Sequence, residues 1–348
     1  MKYNVLYLYA EVMPYTESVI DAMINNYDVN FTLIEATYLK LTPYVPNKKN
    51  NYVHLSKSTF ENKKKLLDFC INNVRPNVIY VSGWMDKDYL YVTKHLKKMG
   101  LPIVTGIDTQ WRATFRQRLA SLLSPFLIKP YFTHIWVAGN RQYEYATKLG
   151  FKRDYIIHNL YSSNTKVFKN INLSKTKNIL FVGRLVEVKG YELLIRAFLK
   201  LIKDEQFQDW TLTLVGSGKD ATIPKNSNIK EISFSTPEEL AKYATDSLIF
   251  CLPSTYEPWG VVVHEFASCG LSLLLSDECG AGDTFLIHGY NGYVFKSNNE
   301  ADLLIKLRNL MQKETSELVK MGMKSRELSQ RISPDTSAAA FMSVVLST

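Results

Sequence analysis

Short apolar runs alternate with stretches of helical periodicity along this chain, and the alternation occurs twice over, a pattern that two parallel sheets flanked by helices can bury. In the first half the runs Asn4–Tyr9, Asn30–Glu35, Asn77–Val81, Ile103–Gly106 and His134–Ala138 read as buried strands. Helical stretches near 16–26, 58–74, 87–99, 112–123 and 140–149 separate them. The second half repeats the scheme with strands near 178–183, 211–216, 229–233, 247–251, 271–275 and 292–295. Tyr161–Lys177, rich in Ser, Asn and Lys, reads as the linker. The expected organisation is therefore a doubly wound α/β domain over 1–160, a linker over 161–177 and a second such domain over 178–333. At 348 residues each half is long enough to bury its own core.

The whole net charge of +9 lies in the first half. Residues 1–160 hold 21 Lys and Arg against 12 Asp and Glu, whereas 161–348 hold 21 of each. A field of this kind favours an anionic partner, such as a lipid diphosphate, an acidic headgroup surface or nucleic acid. Runs such as Lys63–Lys65 and Lys94–Lys98 read equally as solvated helix faces. Nucleic acid is the weaker option, because no helix-turn-helix, RNA-recognition or zinc-finger motif accompanies the charge. The four cysteines, Cys70, Cys251, Cys269 and Cys279, form no C-x-x-C pair, and Met1–Ala10 reads as a first strand and not as a signal peptide. A reduced, cytoplasmic setting is expected. The most apolar stretch, Leu119–Val137, is broken by Pro125, Lys129, Pro130 and His134, so any membrane contact is expected to be peripheral, at the inner face.

Two segments of the second half carry the chemistry. Gly183-Arg184-Leu185 and Lys189-Gly190 follow an apolar run and precede a helical one, which puts two cations on a strand-to-helix connection, where open α/β sheets bind ligands. An Arg fork and a Lys point charge there suit a diphosphate, although capping and solvation explain each of them singly. Downstream, Glu257 and Glu265 stand eight apart in Glu257-Pro258-Trp259-Gly260-Val261-Val262-Val263-His264-Glu265. Pro258 holds Glu257 in a loop and starts a helix that carries Glu265. Buried among Val261, Val263 and Phe266, such carboxylates need hydrogen-bonding partners, which a polyhydroxylated ligand supplies. A loop Glu and a salt-bridged helix Glu would look the same in isolation.

Together these segments resemble the retaining, GT-B-fold glycosyltransferases of family 4, known also as glycosyl transferases group 1, which carry G-R-L-x4-K-G followed by E-x7-E. Trp259 stands where the family usually has Phe and would keep an aromatic wall. Asp283–Phe295 looks like the family's D-G-x-N-G turn. The resemblance implies two Rossmann-like domains facing each other across a cleft, with a C-terminal helix over 334–348 returning to the first. It further implies a nucleoside diphosphate sugar as donor, held by Gly183, Arg184, Lys189, Glu257, Trp259, Gly260, Val261 and Glu265. Glu257 would hold sugar hydroxyls and Glu265 the ribose.

Cleaving the bond from anomeric carbon to phosphate leaves charge on the diphosphate, to be met by a divalent metal or by cations and a helix N-terminus. Arg184 and Lys189 point to the second route, with no metal and no cofactor. The metal alternative would rest on Asp86 and Asp88, which read better as a helix N-cap and its first turn. Acceptor contacts are expected from the loop after Ile103–Gly106, where Trp111 would stack on a sugar, Arg112 hold a phosphate and Asp108 position or deprotonate the nucleophile. Helix capping and core packing explain the same three residues. Tyr9–Thr16 lacks the paired glycines common in the family, so close backbone approach to the donor there is not expected. The function expected is transfer of a sugar to a glycan or lipid-linked acceptor, as in cell-surface polysaccharide synthesis. A nucleotide-sugar epimerase, a phosphorylase or a non-catalytic binder would share the fold.

Overall fold

The structure, a computed structural model, describes residues 2–36, 44, 51–169 and 171–346. Its described residues fall into two compact units, Met1–Ser162 with Ile332–Thr348, and Ser163–Arg331.

The first unit begins with β1 (Tyr3–Tyr9), α1 (Pro14–Asn26), β2 (Val29–Glu35), β3 (Val53–Ser56), α2 (Lys63–Phe69) and β4 (Val78–Val81). It continues with α3 (Lys87–Lys98), β5 (Ile103–Ile107), α4 (Phe115–Leu127), β6 (His134–Val137), α5 (Asn140–Lys148) and β7 (Ile156–Ile157). The strands pair in parallel in the order β3-β2-β1-β4-β5-β6-β7. Val5, Leu6 and Leu8 of β1 are wholly buried, as a central strand covered on both faces requires. Helix α4 runs through Pro125 and ends four residues later than the sequence suggests. Its last turn is closed by the Ile128 and Lys129 amides on the Ser124 carbonyl, each at 2.9 Å.

The second unit contains β8 (Thr176–Val182), α6 (Tyr191–Leu201), β9 (Thr211–Val215), β10 (Ile229–Ile232), α7 (Pro237–Asp246), β11 (Ser247–Leu252) and α8 (Val261–Ser268). Then come β12 (Ser272–Ser276), α9 (Gly282–Phe285), β13 (Gly292–Phe295), α10 (Glu300–Met311) and α11 (Thr315–Ser329). Its parallel sheet runs β10-β9-β8-β11-β12-β13. The final helix, α12 (Pro334–Leu346), belongs to the first unit, where Phe341 packs edge-on against Tyr7 with ring centroids 5.4 Å apart.

The stretch expected to link the halves lies largely inside the second unit. The Ser163 amide donates to His264 Nδ1 at 3.0 Å, and the Lys175 amine donates to the carbonyls of Ala244 at 2.9 Å and Cys269 at 3.5 Å. Desolvation lowers the Lys175 amine to about 8. Polar composition marks this segment as surface, but the Ser163 amide and the Lys175 amine are spent on a ring nitrogen and on backbone carbonyls of the second unit.

Candidate donor site at the switch point of the second unit

The order of the second sheet reverses at β8 and β11: β9 follows β8 outward on one side, while β11 to β13 extend on the other. Loops leaving the carboxyl ends of two such strands frame the crevice in which doubly wound sheets take ligands. The loop after β8 is Gly183–Gly190, and the loop after β11 is Pro253–Gly260. Both sequence motifs therefore meet at the position where topology opens the sheet.

The Lys189 Nζ is bonded to Glu257 Oε2, and the Ser254 hydroxyl donates to the same carboxylate oxygen at 3.3 Å. Glu257 is buried, so this pairing offsets a desolvation that a lone carboxylate would not survive. Backbone bonds lock the two loops together, with the Thr255 amide donating to the Val188 carbonyl at 2.8 Å. Gly190 sits at φ 66°, and a Cβ there would lie 2.2 Å from the Pro253 carbonyl oxygen, so only glycine lets the loops approach so closely. Gly260, at φ 91°, is the residue before α8, and a Cβ on it would crowd Glu257 Cγ at 3.0 Å. It leaves the first amides of α8 open beside the acid. The Arg184 side chain is exposed and makes no ion pair among the described residues.

One helical stretch into α8, Glu265 is half-buried and its carboxyl has no hydrogen-bond partner among the described residues. The residue keeps some contact with solvent, and its partial burial pushes the carboxyl pKa up to about 7. The two acids thus differ: Glu257 is held by a cation and a hydroxyl, whereas Glu265 has no such partner among the described residues.

Other expected residues fall elsewhere. The Trp259 ring is buried against Phe285, centroids 6.2 Å apart, with its indole N–H unpaired, so it forms interior and not an open aromatic wall. The neighbouring backbone remains in the site, since the Gly280 amide donates to the Glu257 carbonyl and the Ala281 amide to that of Trp259, at 3.0 and 2.8 Å. Asn291, in the third motif, is wholly buried as a stitch: its Oδ1 accepts from the Ile287 amide at 2.8 Å and its Nδ2 donates to the Phe285 carbonyl at 2.9 Å. His264 is structural too, its Nδ1 accepting from Ser163 and its Nε2 donating to the Ser329 carbonyl at 2.9 Å. Sequence reading missed Ser254, which holds Glu257 and whose carbonyl accepts from the Ser276 hydroxyl at 2.6 Å. Its signal was a small polar residue at a strand end, three positions before the acid.

In the first unit, Asp108 is exposed after β5, and its carboxylate accepts from the Tyr161 hydroxyl at 3.3 Å. Arg112 is exposed on the same loop, its amide bonded to Gln117 Oε1 at 2.8 Å. Trp111 is half-buried against Tyr145, centroids 5.5 Å apart, which leaves only part of the ring for stacking. After β1 the Ala10 and Val12 amides are taken by Ser82 Oγ and Glu35 Oε1, both at 2.8 Å. Asp86 caps α3 through the amides of Asp88 and Tyr89, and Lys57 bridges Asp86 and Asp88 at 2.7 and 2.8 Å. An ammonium already occupies the place a cation would take between these two acids.

Residues 163–328 match the family model of glycosyl transferases group 1. An uncharacterized glycosyltransferase of Haemophilus influenzae is 32% identical over 189 residues, 52% of this chain and 52% of that protein. The chain spans about half the length of the curated relatives it matches. HepE of Anabaena, solved in complex with UDP-glucose, shares the fold at a TM-score of 0.72 and 16% identity, covering 100% of both chains. Sucrose-phosphate synthase of Thermosynechococcus elongatus gives a TM-score of 0.70 at 14% identity, covering 96% of each chain. The chain thus has the GT-B fold, two parallel-sheet units, and the second unit matches the glycosyl transferases group 1 model over nearly its whole length.

Proposed function

We propose that the protein is a retaining, metal-independent glycosyltransferase of family 4 that moves a sugar from a nucleoside diphosphate donor to a glycan or lipid-linked acceptor. The observation that carries the reading is the Lys189–Glu257 pair, which joins the two motif loops at the switch point beside the open N-terminus of α8. In this reading Arg184 and Lys189 meet the charge that develops on the departing diphosphate, and the amides after Gly260 add their partial charge. Glu257, relieved of part of its bond to Lys189 by the phosphates, turns to sugar hydroxyls. Glu265 takes two vicinal ribose hydroxyls as the partners it lacks. Asp108 and Arg112 are the acceptor contacts, and the basic first half attracts an anionic acceptor or surface.

UDP-glucose, the ligand of the Anabaena structure, is the first donor to test, within a panel of nucleotide sugars. A transferase hydrolyses its donor slowly without acceptor and keeps doing so with EDTA present. Conversion of the donor to another sugar nucleotide would make the protein an epimerase, and binding without turnover a non-catalytic receptor. Activity that vanishes with EDTA and returns with manganese would overturn the metal-independent route.

A further inference from the structure

Helix α4 is built inside out. Phe115, Leu119, Leu122 and Phe126 recur at i, i+4, i+7 and i+11 and so share one face, and that face meets solvent, with exposures of 83%, 44%, 73% and 75%. The face turned to the interior is polar. Buried Gln117 donates to the Gln110 carbonyl at 2.7 Å, and wholly buried Ser124 donates to the Leu149 carbonyl at 2.7 Å. A helix on an ordinary water-facing surface shows the reverse arrangement, and contiguous exposed apolar residues mark a docking face. At a hundred degrees per residue, Arg116 and Arg118 fall on opposite flanks of the stripe, and both are exposed. Residues 109–143 contain five Lys and Arg and no Asp or Glu.

We propose that α4 docks the protein on an anionic bilayer, its Phe and Leu stripe entering the boundary between headgroups and acyl chains while Arg116 and Arg118 bind acidic headgroups. The inference assigns the surface attraction proposed above to one element, and it stands on geometry independent of the donor chemistry. The combination of an apolar stripe with a basic border is what stable interfacial binding requires, since neither signal suffices alone. Thirteen helical residues rise about 20 Å, enough to lie in an interface and too few to cross it. Among the described residues no helix is long and apolar enough to cross a membrane.

Co-sedimentation with vesicles of phosphatidylcholine, with and without phosphatidylglycerol, tests this. The full chain is expected to bind the acidic vesicles and to leave them as salt rises well above physiological, where the screening length falls below about 8 Å. Leu122→Asp with Phe126→Asp should lower partitioning at least about tenfold, the loss expected from removing two large apolar groups from the boundary. Thermal unfolding and nucleotide binding should not change, because both residues are already exposed and lie outside the donor site. Leu122→Trp should show a blue-shifted emission on acidic vesicles alone. Indifference of the wild type to acidic vesicles, or unchanged binding by the double variant, would overturn the inference. So would a dimer in solution that the double variant dissolves, since the stripe would then belong to a second copy. Vesicle binding that persists without any nucleotide binding would support the docking helix and defeat the donor reading alone.

Discussion

Replacing Glu265 with Gln tests the donor site most sharply, because the structure predicts opposite effects on stability and on binding. Burial raises the Glu265 carboxyl from its ordinary 4.5 to about 7. A shift of that size corresponds to about 3 kcal/mol at most, and partial contact with solvent reduces this to about 2 kcal/mol. The folded protein holds the proton more tightly than the unfolded chain does. Stability from this group is therefore complete below about pH 4.5 and is lost as pH rises through about 7. Glu265→Gln has no charge to bury, so above about pH 7 it should be more stable than wild type by about 2 kcal/mol. For a unit of this size that is roughly 4–8 °C in Tm, and the difference should disappear below about pH 4.5.

Binding should move the other way. Ribose hydroxyls donate to the ionised carboxylate, so a nucleoside diphosphate should draw the proton off, and affinity should grow from about pH 6 to about pH 8. Hydrogen bonds to a charged group contribute about 1.5–3 kcal/mol, so Glu265→Gln should bind at least about tenfold more weakly and lose the pH slope. Calorimetry in buffers of different ionisation enthalpy reads the proton release directly. A Gln variant with wild-type affinity and wild-type slope, or one less stable than wild type at about pH 8, would refute the assignment.

Arg184→Ala should cut turnover by about two orders of magnitude or more while leaving Tm nearly unchanged, since its side chain is exposed and without an ion pair among the described residues; equal loss of folding and activity would argue for a structural role. Glu257→Gln should depress transfer with little change in affinity for the bare nucleoside diphosphate, measured by calorimetry, because its partner Lys189 remains to meet phosphate. Gly190→Ala should lower Tm and donor binding together, as both φ 66° and the 2.2 Å approach to Pro253 exclude a side chain; recovery of a wild-type melt would contradict that geometry. Asn291→Ala should cost about 2–4 kcal/mol in chemical denaturation by leaving the Ile287 amide and Phe285 carbonyl unpaired.

Central strands were legible because the stretch of a strand covered on both faces is mostly apolar, as in Val5–Tyr9 of β1, β4, Ile179–Val182 of β8 and Leu248–Leu252 of β11. The edge strands β3 and β7 escaped notice, since β3 exposes Val53 and His54 and β7 is two residues long, so neither leaves a periodic signature. Arg184, Lys189, Glu257 and Glu265 were singled out by the resemblance of their two segments taken together, since capping, solvation or a salt bridge explains each of them singly, whereas Pro258 with Gly260 announces a helix start locally. Trp259 misled because an aromatic beside a motif looks alike whether it lines a crevice or closes an interior; only packing against Phe285 distinguishes them.

What the sequence by itself determined is local and periodic: which segments are strands and helices, where charge accumulates, and where Pro258 and Gly260 start a helix. Tertiary structure decided what depends on residues far apart in the chain. It brought Lys189 to Glu257 across 68 positions, half-buried Glu265 so that its carboxyl pKa rises, gave Asp86 and Asp88 to Lys57, and turned the apolar face of α4 outward. The physical reason is that periodicity reports that a helix has an apolar face but not which side of it the rest of the fold will occupy. Likewise a carboxylate's partners and its exposure to water are set by whichever loops the sheet order brings beside it.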